Sequence, residues 1–172
     1  MKIKWLMFFI SALFLQSCNY VDVRSEYDTS ANFRSFQTFN IRPITNVDEY
    51  NVNEFAQQHI INAINSELNA RGYTQASRNA DLTVESYIST KDKVEISAET
   101  SHRGHGDFST RYDTYEYTEG TLIIDIRNAK TNKLVWQGVG MGVIDRSPKN
   151  REQRLSKVIA KIFRDFPIEK YE

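Results

Sequence analysis

The chain has 172 residues, which is enough for one globular domain of ordinary size. Its 22 basic and 22 acidic residues give a formal net charge of zero, so no excess of positive charge indicates a nucleic-acid partner or attraction to an anionic surface. A single cysteine excludes an internal disulfide, and the fold must therefore be stabilised by its apolar core.

The first 17 residues differ from the rest of the chain. Lys2 and Lys4 precede an uncharged apolar run over residues 5–15. This run is shorter than the roughly 20 residues that span a bilayer. A buried helix at the start of the fold is the alternative, but the lysine flank, the length and the abrupt change in polarity favour a secretory signal peptide. We predict that residues 1–17 are a signal peptide and that residues 18–172 form a single lipid-anchored domain.

The apolar run ends in Leu15, Gln16, Ser17 and Cys18. This stretch resembles the lipobox of bacterial lipoproteins, although Gln16 departs from the small or apolar residue commonest at its position. The resemblance implies cleavage after Ser17, a diacylglyceryl group on the Cys18 thiol and acylation of the new amino terminus. Two acyl chains give stable attachment, because each buried methylene contributes about 0.8 kcal/mol. An incidental cysteine in a secreted protein is the alternative.

Asn19 follows the cysteine. In lipoproteins of enteric bacteria an aspartate at this position favours the inner membrane, so Asn19 is compatible with the outer membrane. We expect a protein of the bacterial cell envelope, held in the outer membrane by acyl chains on Cys18 and facing the periplasm. No cofactor and no nucleic acid are expected, and an envelope protein is a candidate partner.

Periodicity predicts two strands and a helix in the first half of the mature chain. Residues 19–28 alternate apolar and polar side chains, and residues 33–41 are rich in aromatics and end before Pro43. The spacing of three between Phe33 and Phe36 leaves a turn or bulge between them open. Residues 51–71 form an amphipathic helix, with Asn51 and Glu54 resembling a capping box and Gly72 as its stop.

A strand is predicted over residues 80–90, and the polar stretch 91–119 after it is either a long hairpin arm or a mobile loop. Its tyrosines form a candidate binding patch or simply alternate on a sheet; they are Tyr112, Tyr115 and Tyr117. A hairpin then joins residues 122–126 to 134–144. Trp136 shares one strand face with Gly138, Gly140 and Gly142, which favours a floor for a helix or an aromatic ring over a ligand groove.

The last predicted element is a helix that Ser147 caps, with Pro148 in its first turn. Its apolar stripe contains Leu155, Val158, Ile159, Ile162, Phe163 and Phe166. A basic face lies largely off that stripe and is either solvated or in contact with anionic lipid or a partner; it contains Arg151, Arg154, Lys157, Lys161 and Arg164.

Two amphipathic helices require an apolar sheet face to cover. The order of elements therefore predicts a two-layer α+β fold, with a mixed, mostly antiparallel sheet of about five strands and both helices on one face. Several segments resemble the bacterial lipoproteins of domain-of-unknown-function family 4136: "ANFRSFQTF", "LNARGY", "ADLTV", "YEYTEGTLIIDIRNAKTNKLVWQG" and the closing "FRDFP". The resemblance implies a lipid-anchored envelope domain of uncharacterised role and supplies no catalytic residues.

No motif for nucleophilic catalysis is present, and the predicted function is a non-enzymatic binding or structural module. Two alternatives stay open. One is an envelope hydrolase whose carboxylates meet in space; the candidates are Glu67, Asp81, Glu85, Asp125 and Glu152. The other is metal binding by His102, His105 and Asp107, a spacing that offers two imidazoles and a carboxylate but no evident fourth ligand. His59, on the first helix, is interpreted as structural.

Overall fold

The computed structural model describes residues 21–48, 52–102, 108–144 and 151–167. Within these ranges seven strands form one sheet. The strands are β1 (Val21–Tyr27), β2 (Thr38–Ile41), β3 (Thr45–Asn46), β4 (Thr74–Gln75), β5 (Leu82–His102), β6 (Phe108–Asn128) and β7 (Leu134–Val143). The helices are α1 (Glu54–Ala70) and α2 (Arg151–Ile162), and two short 3-10 turns cover Phe33–Ser35 and Phe163–Asp165.

The sheet is mixed and mostly antiparallel, as predicted. Its order is β1-β7-β6-β5-β2-β4, and β3 pairs with β5 beyond β2. β2 and β3 run parallel to β5 and β4 runs parallel to β2, whereas β1, β7, β6 and β5 form antiparallel pairs. The predicted number of about five strands is too low, because β3 and β4 have two residues each and are too short to show an alternating pattern.

The core lies between the helices and one face of the sheet. Strand residues of this face are buried at alternate positions, including Leu82, Val84 and Ile88 of β5 and Leu122, Ile124 and Ile126 of β6. The helices contribute Ile60, Ile64 and Leu68 from α1 and Ile159 and Ile162 from α2. The predicted arrangement of two helices against one apolar sheet face is therefore confirmed.

The glycines of β7 let α2 lie directly on the sheet. A Cβ atom at Gly138 would lie 2.3 Å from Cη2 of Trp136 and 2.4 Å from Cγ2 of Ile162. At Gly140 it would lie 2.8 Å from Cδ1 of Ile162. The prediction that these glycines form a floor beneath a helix and an aromatic ring is confirmed.

Two predicted boundaries are wrong. The strand expected over residues 33–41 begins only at Thr38, because the Asn32 side chain accepts a hydrogen bond from the Arg34 amide (3.1 Å) and caps the 3-10 turn that buries Phe33. α1 is capped by Asn53, whose side chain accepts from the Ala56 amide at 2.9 Å, and not by Asn51, which lies outside the described residues.

The end of α1 is as predicted. Gly72 has a φ of 88°, the left-handed conformation that glycine adopts without steric cost. The Gly72 amide donates to the Asn69 carbonyl at 3.0 Å and the Tyr73 amide to the Leu68 carbonyl at 3.1 Å. This pair of bonds is a Schellman motif, and it turns the chain back so that Tyr73 is buried against the core.

Ser147 and Pro148, the predicted start of the second helix, lie outside the described residues. The predicted apolar stripe of α2 is confirmed. Ile159, Ile162, Phe163 and Phe166 are buried, and Leu155 and Val158 pack partly buried against the same core.

Candidate binding surface

β5 and β6 extend well beyond the rest of the sheet. They pair continuously from Leu82 opposite Asn128 to His102 opposite Phe108. β3 pairs with β5 no further than Ile88, and β7 pairs with β6 no further than Glu119. We call residues 91–102 and 108–118 the hairpin arm. At about 3.3 Å per residue, residues 91–102 span roughly 40 Å. Of the two structures expected for 91–119, the hairpin arm is confirmed and the loop is wrong.

The hairpin arm exposes large apolar side chains. Val94 is 63% exposed, Ile96 66%, Tyr112 69% and Tyr115 58%. Residues directly opposite in an antiparallel pair point to the same face. Val94 and Ile96 lie at even positions of β5, as the core residue Ile88 does, and so lie on the face of the sheet that the helices cover. Tyr112 lies on the same face, because it is directly opposite Ala98.

The three tyrosines do not form one patch. Tyr115 and Tyr117 are opposite Glu95 and Lys93 on one face of the hairpin arm, whereas Tyr112 is opposite Ala98 on the other. Positions 112 and 115 differ by an odd number, so they must point to opposite faces of an uninterrupted strand. A single patch of all three tyrosines is therefore excluded, and Tyr115 and Tyr117 occupy alternate positions of one strand face.

The β5 edge of the hairpin arm is open. Near its root this edge is occupied, since Val47 donates its amide to the Ile88 carbonyl (2.9 Å) and Thr90 donates its amide to the Asp48 carboxylate. Even-numbered residues of β5 thus direct their backbone groups away from β6. Beyond Thr90, no strand among the described ranges pairs with this edge, so the backbone groups of Val94 and Ile96 face outward. An open edge of this kind is a template for another strand.

The first described residue of the chain, Val21, lies at the root of the hairpin arm. Val21 pairs with Gly142, Gly142 with Gly120, and Gly120 with Thr90. Cys18 and the predicted signal peptide 1–17 lie outside the described residues. Because Cys18 precedes Val21 by three residues, the Cα atoms of the two are at most about 11 Å apart.

The basic face of α2 extends toward the same point. Lys157, Lys161 and Arg164 are exposed, whereas Arg151 and Arg154 are half-buried. The Lys161 ammonium donates to the Val21 carbonyl at 3.4 Å. At least one cation of this face therefore lies beside the first described residue of the chain.

Of the five carboxylates considered for catalysis, only Glu85 and Asp125 meet. They are directly opposite on the helix-free face of the sheet. Arg127 lies between them, with Nε 3.2 Å from Glu85 Oε2 and Nη2 2.9 Å from Asp125 Oδ2. Gln137 donates to Asp125 at 2.7 Å and Tyr87 donates to Glu85 at 3.2 Å.

This arrangement suits a structural network better than acid–base chemistry. A general acid and base need environments that push their proton affinities apart. Here one guanidinium bonds both carboxylates, so the two share one environment. Tyr87 lies beside them and is half-buried; its partial desolvation, followed by the nearby charge of Glu85, raises the pKa of Tyr87. The geometry ties β5, β6 and β7 together by charge-assisted hydrogen bonds.

The other three carboxylates stabilise separate joints of the fold. Asp81 accepts hydrogen bonds from the Gln37 and Thr38 amides at 3.0 and 3.1 Å, and these bonds, with that from the Thr38 hydroxyl, lower its pKa. Glu67 lies 2.6 Å from Arg71 Nη1, and Arg71 Nη2 donates to the Phe163 carbonyl at 2.7 Å. The third, Glu152, lies on α2 3.9 Å from His59, a half-buried histidine of α1.

The side chains of the three metal candidates lie outside the described part of the chain. His105 and Asp107 lie outside the described residues, and so does the side chain of His102, the last residue of β5. Across the parts of the chain that are described, no group of three or more histidine, cysteine, aspartate or glutamate side chains could hold a metal ion. In those same parts no helix is both long enough and apolar enough to cross a bilayer.

Sequence reasoning did not single out Val94, Ile96 or their charged neighbours Lys93 and Glu99. The signal was present as an alternation of apolar and charged residues in "KDKVEISAE", residues 91–99. It becomes informative only once β5 is known to continue through this segment with one edge open.

Solved structures share this fold. A DUF4136 family protein from Bacteroides thetaiotaomicron is 19% identical, with a TM-score of 0.59 over 86% of this chain and 95% of that one. A PelC dodecamer from Paraburkholderia phytofirmans is 16% identical, with a TM-score of 0.51 over 84% and 95%. A PDZ domain protein from Parabacteroides distasonis is 14% identical, with a TM-score of 0.57 over 88% of this chain but only 37% of its own length.

These identities establish likeness of fold only. No curated protein matches the sequence. A family model described as "Domain of unknown function (DUF4136)" matches residues 23–168, most of the chain and nearly the whole region from β1 to the end of α2. The resemblance found in the sequence is thus confirmed, and the chain belongs to the DUF4136 family.

Proposed function

We propose that this chain is a lipid-anchored, non-enzymatic module of the bacterial cell envelope, whose hairpin arm binds a protein partner. Acyl chains on Cys18 hold it in the outer membrane, facing the periplasm. The observation that carries the proposal is the hairpin arm itself, which extends beyond the body of the sheet. No described strand pairs with its β5 edge, and it exposes Val94, Ile96, Tyr112 and Tyr115.

Physical chemistry supports a binding role for such an element. A two-stranded ribbon is at best marginally stable alone in water. Proteins normally shorten, charge or cover exposed strand edges, because apolar open edges promote association. An edge of this kind binds a protein by strand addition, in which backbone hydrogen bonds give affinity and alternate side chains give specificity. The Paraburkholderia protein of similar fold forms a dodecamer, which supports a protein as the class of partner.

The position of Cys18 supports a partner close to the membrane. The register places Val21 at the root of the hairpin arm, and Cys18 is within about 11 Å of Val21. An anchor there confines the arm root to the neighbourhood of the bilayer. Proteins confined to the same surface meet at a high effective concentration, so even modest contacts suffice for binding.

Site-directed photocrosslinking tests the binding role. A photoreactive phenylalanine analogue replaces Tyr115 or Ile96 on the hairpin arm, or Phe55 on α1, in the full chain in its native envelope. Phe55 is the matched control, because it is 78% exposed and lies outside the arm. We expect protein crosslinks from both arm positions and at least about fivefold less from Phe55. Equal yields from all three positions, or none from the arm, would contradict the proposal.

A further inference from the structure

We propose that the partner of the hairpin arm is a second copy of this chain, and that the two β5 edges pair antiparallel about a two-fold axis at Ile96. The inference rests on the proposed binding role of the arm and specifies its occupant. Three features of the described residues lead to it: the backbone groups at the β5 edge, the apolar row on one face, and the order of charges along the strand.

The backbone of β5 is suited to this pairing. Two identical edges can pair antiparallel about an axis perpendicular to the sheet, which preserves the faces of both ribbons. An axis at Ile96 sets Val94 opposite the partner's Ala98, and even-numbered residues are the ones whose N–H and C=O groups point outward. These residues would exchange direct hydrogen bonds, and the two arms would form one four-stranded ribbon.

The same axis joins the apolar side chains of both copies. Val94, Ile96 and Ala98 occupy alternate positions of one face. Ile96 would lie opposite the partner's Ile96, and the two rows would become one continuous apolar strip. Each row would cover the flank of the other, and thus part of the surface of two side chains that are now 63% exposed (Val94) and 66% exposed (Ile96).

Charge selects this register over its neighbours. With the axis at Ile96, Lys93 lies opposite the partner's Glu99, and symmetry repeats the pair. An axis one residue earlier sets Glu95 against the partner's Glu95, and one residue later sets Glu95 against the partner's Glu99 twice. An axis at Val94 sets Lys93 against the partner's Glu95, but it also sets Asp92 against the partner's Ile96. Opposite charges across strands stabilise pairing and like charges oppose it, so charge and the apolar row together favour the axis at Ile96.

Charge exchange tests the proposal in the full-length chain, extracted in detergent, with particle mass measured by light scattering. We expect the mass of two copies for the unmodified chain and at least about tenfold weaker association for Lys93→Glu or Glu99→Lys. The double variant should recover association. Lys93 also lies 3.5 Å from Glu119 within one copy, and the double variant does not restore that pair, so recovery reports the contact between copies.

Arg24→Glu is the matched control. Arg24 lies on β1, three strands away from β5, where its side chain is 70% exposed and 3.4 Å from Asp22. It should leave association unchanged, and each variant should remain folded by circular dichroism. Monomeric unmodified chain, loss of association in Arg24→Glu alone, or a double variant as weak as the single ones would each overturn the proposal.

A failure of the second-copy proposal can be distinguished from a failure of the proposed binding function. Arm crosslinks to other proteins only would overturn the second-copy proposal and leave the binding role intact. The Cys18→Ala chain should still associate, since the pairing residues belong to the arm. A monomeric Cys18→Ala chain beside a paired unmodified chain would overturn pairing through the arm alone.

Discussion

Trp136→Ala is expected to lower the free energy of unfolding by about 3–5 kcal/mol, the range typical of a large aromatic removed from a core. Trp136 is fully buried. Its ring stacks on Phe163 with centroids 4.9 Å apart and lies 5.2 Å from Phe166. It also covers Gly138, so that the indole fills the space between β7 and the end of α2. Alanine would leave a cavity at the joint of both layers, which chemical denaturation would measure.

Tyr115→Ala is the matched control for that measurement. Tyr115 is also a large aromatic residue of the same sheet, but it lies on the hairpin arm and is 58% exposed. Exposed substitutions of this kind usually change stability by no more than about 0.5 kcal/mol. Equal losses for the two variants would contradict the packing described for Trp136, as would a loss below about 1 kcal/mol for Trp136→Ala.

Cys18→Ala is expected to move the protein from the membrane fraction to the soluble fraction. The thiol is the attachment point implied by the lipobox, and each buried methylene of an acyl chain contributes about 0.8 kcal/mol to anchoring. Fractionation of cells and incorporation of labelled palmitate would measure the change. We expect nearly complete release and no label.

Ser17→Ala is the control for the anchor, because it keeps a small residue before the cysteine. It should leave the protein in the membrane fraction and fully labelled. The prediction of a lipid anchor is wrong if Cys18→Ala stays in the membrane fraction. Release of both variants to the same extent would instead assign the effect to signal-peptide processing.

Elements with one buried face were predictable from sequence. α1, α2 and the β6–β7 hairpin place apolar residues at the period of their backbone, because each packs against the same core. The hairpin arm was not separable from a loop. Both of its faces are solvated, so nothing requires strict alternation of apolar and polar residues there. The spacing of Phe33 and Phe36 left a turn or bulge open there; that it is a 3-10 turn depends on the Asn32 side chain, which caps it.

The candidate site was predictable only where it is local in sequence. Four adjacent residues define the expected anchor at Cys18, and no fold is needed to identify them. The meeting of Glu85 with Asp125 depends on the register of two long strands, and the openness of the edge at Ile96 depends on where β3 ends. The periodicity of a single segment predicts neither the pairing of Glu85 with Asp125 nor the open edge at Ile96.

In our proposal the hairpin arm binds the partner and the body of the fold is stable without the arm. Deleting residues 94–116 and joining Lys93 to Tyr117 by Asn-Gly keeps the register, because these residues are directly opposite, odd-numbered residues of β5 face β6 with their backbone groups, and Asn-Gly favours a two-residue hairpin turn. This variant retains the Lys93–Glu119 ion pair at the arm root. Its free energy of unfolding should therefore stay within about 1 kcal/mol of the unmodified chain.

The most direct test is recovery of protein partners, including tagged second copies, with the arm-shortened chain from its native envelope after chemical crosslinking. We expect the shortened chain to be folded and membrane-attached and to recover no specific partner, whereas the unmodified chain recovers one. Recovery of the same partners at the same yield by a folded, shortened chain would contradict the proposed binding role of the arm.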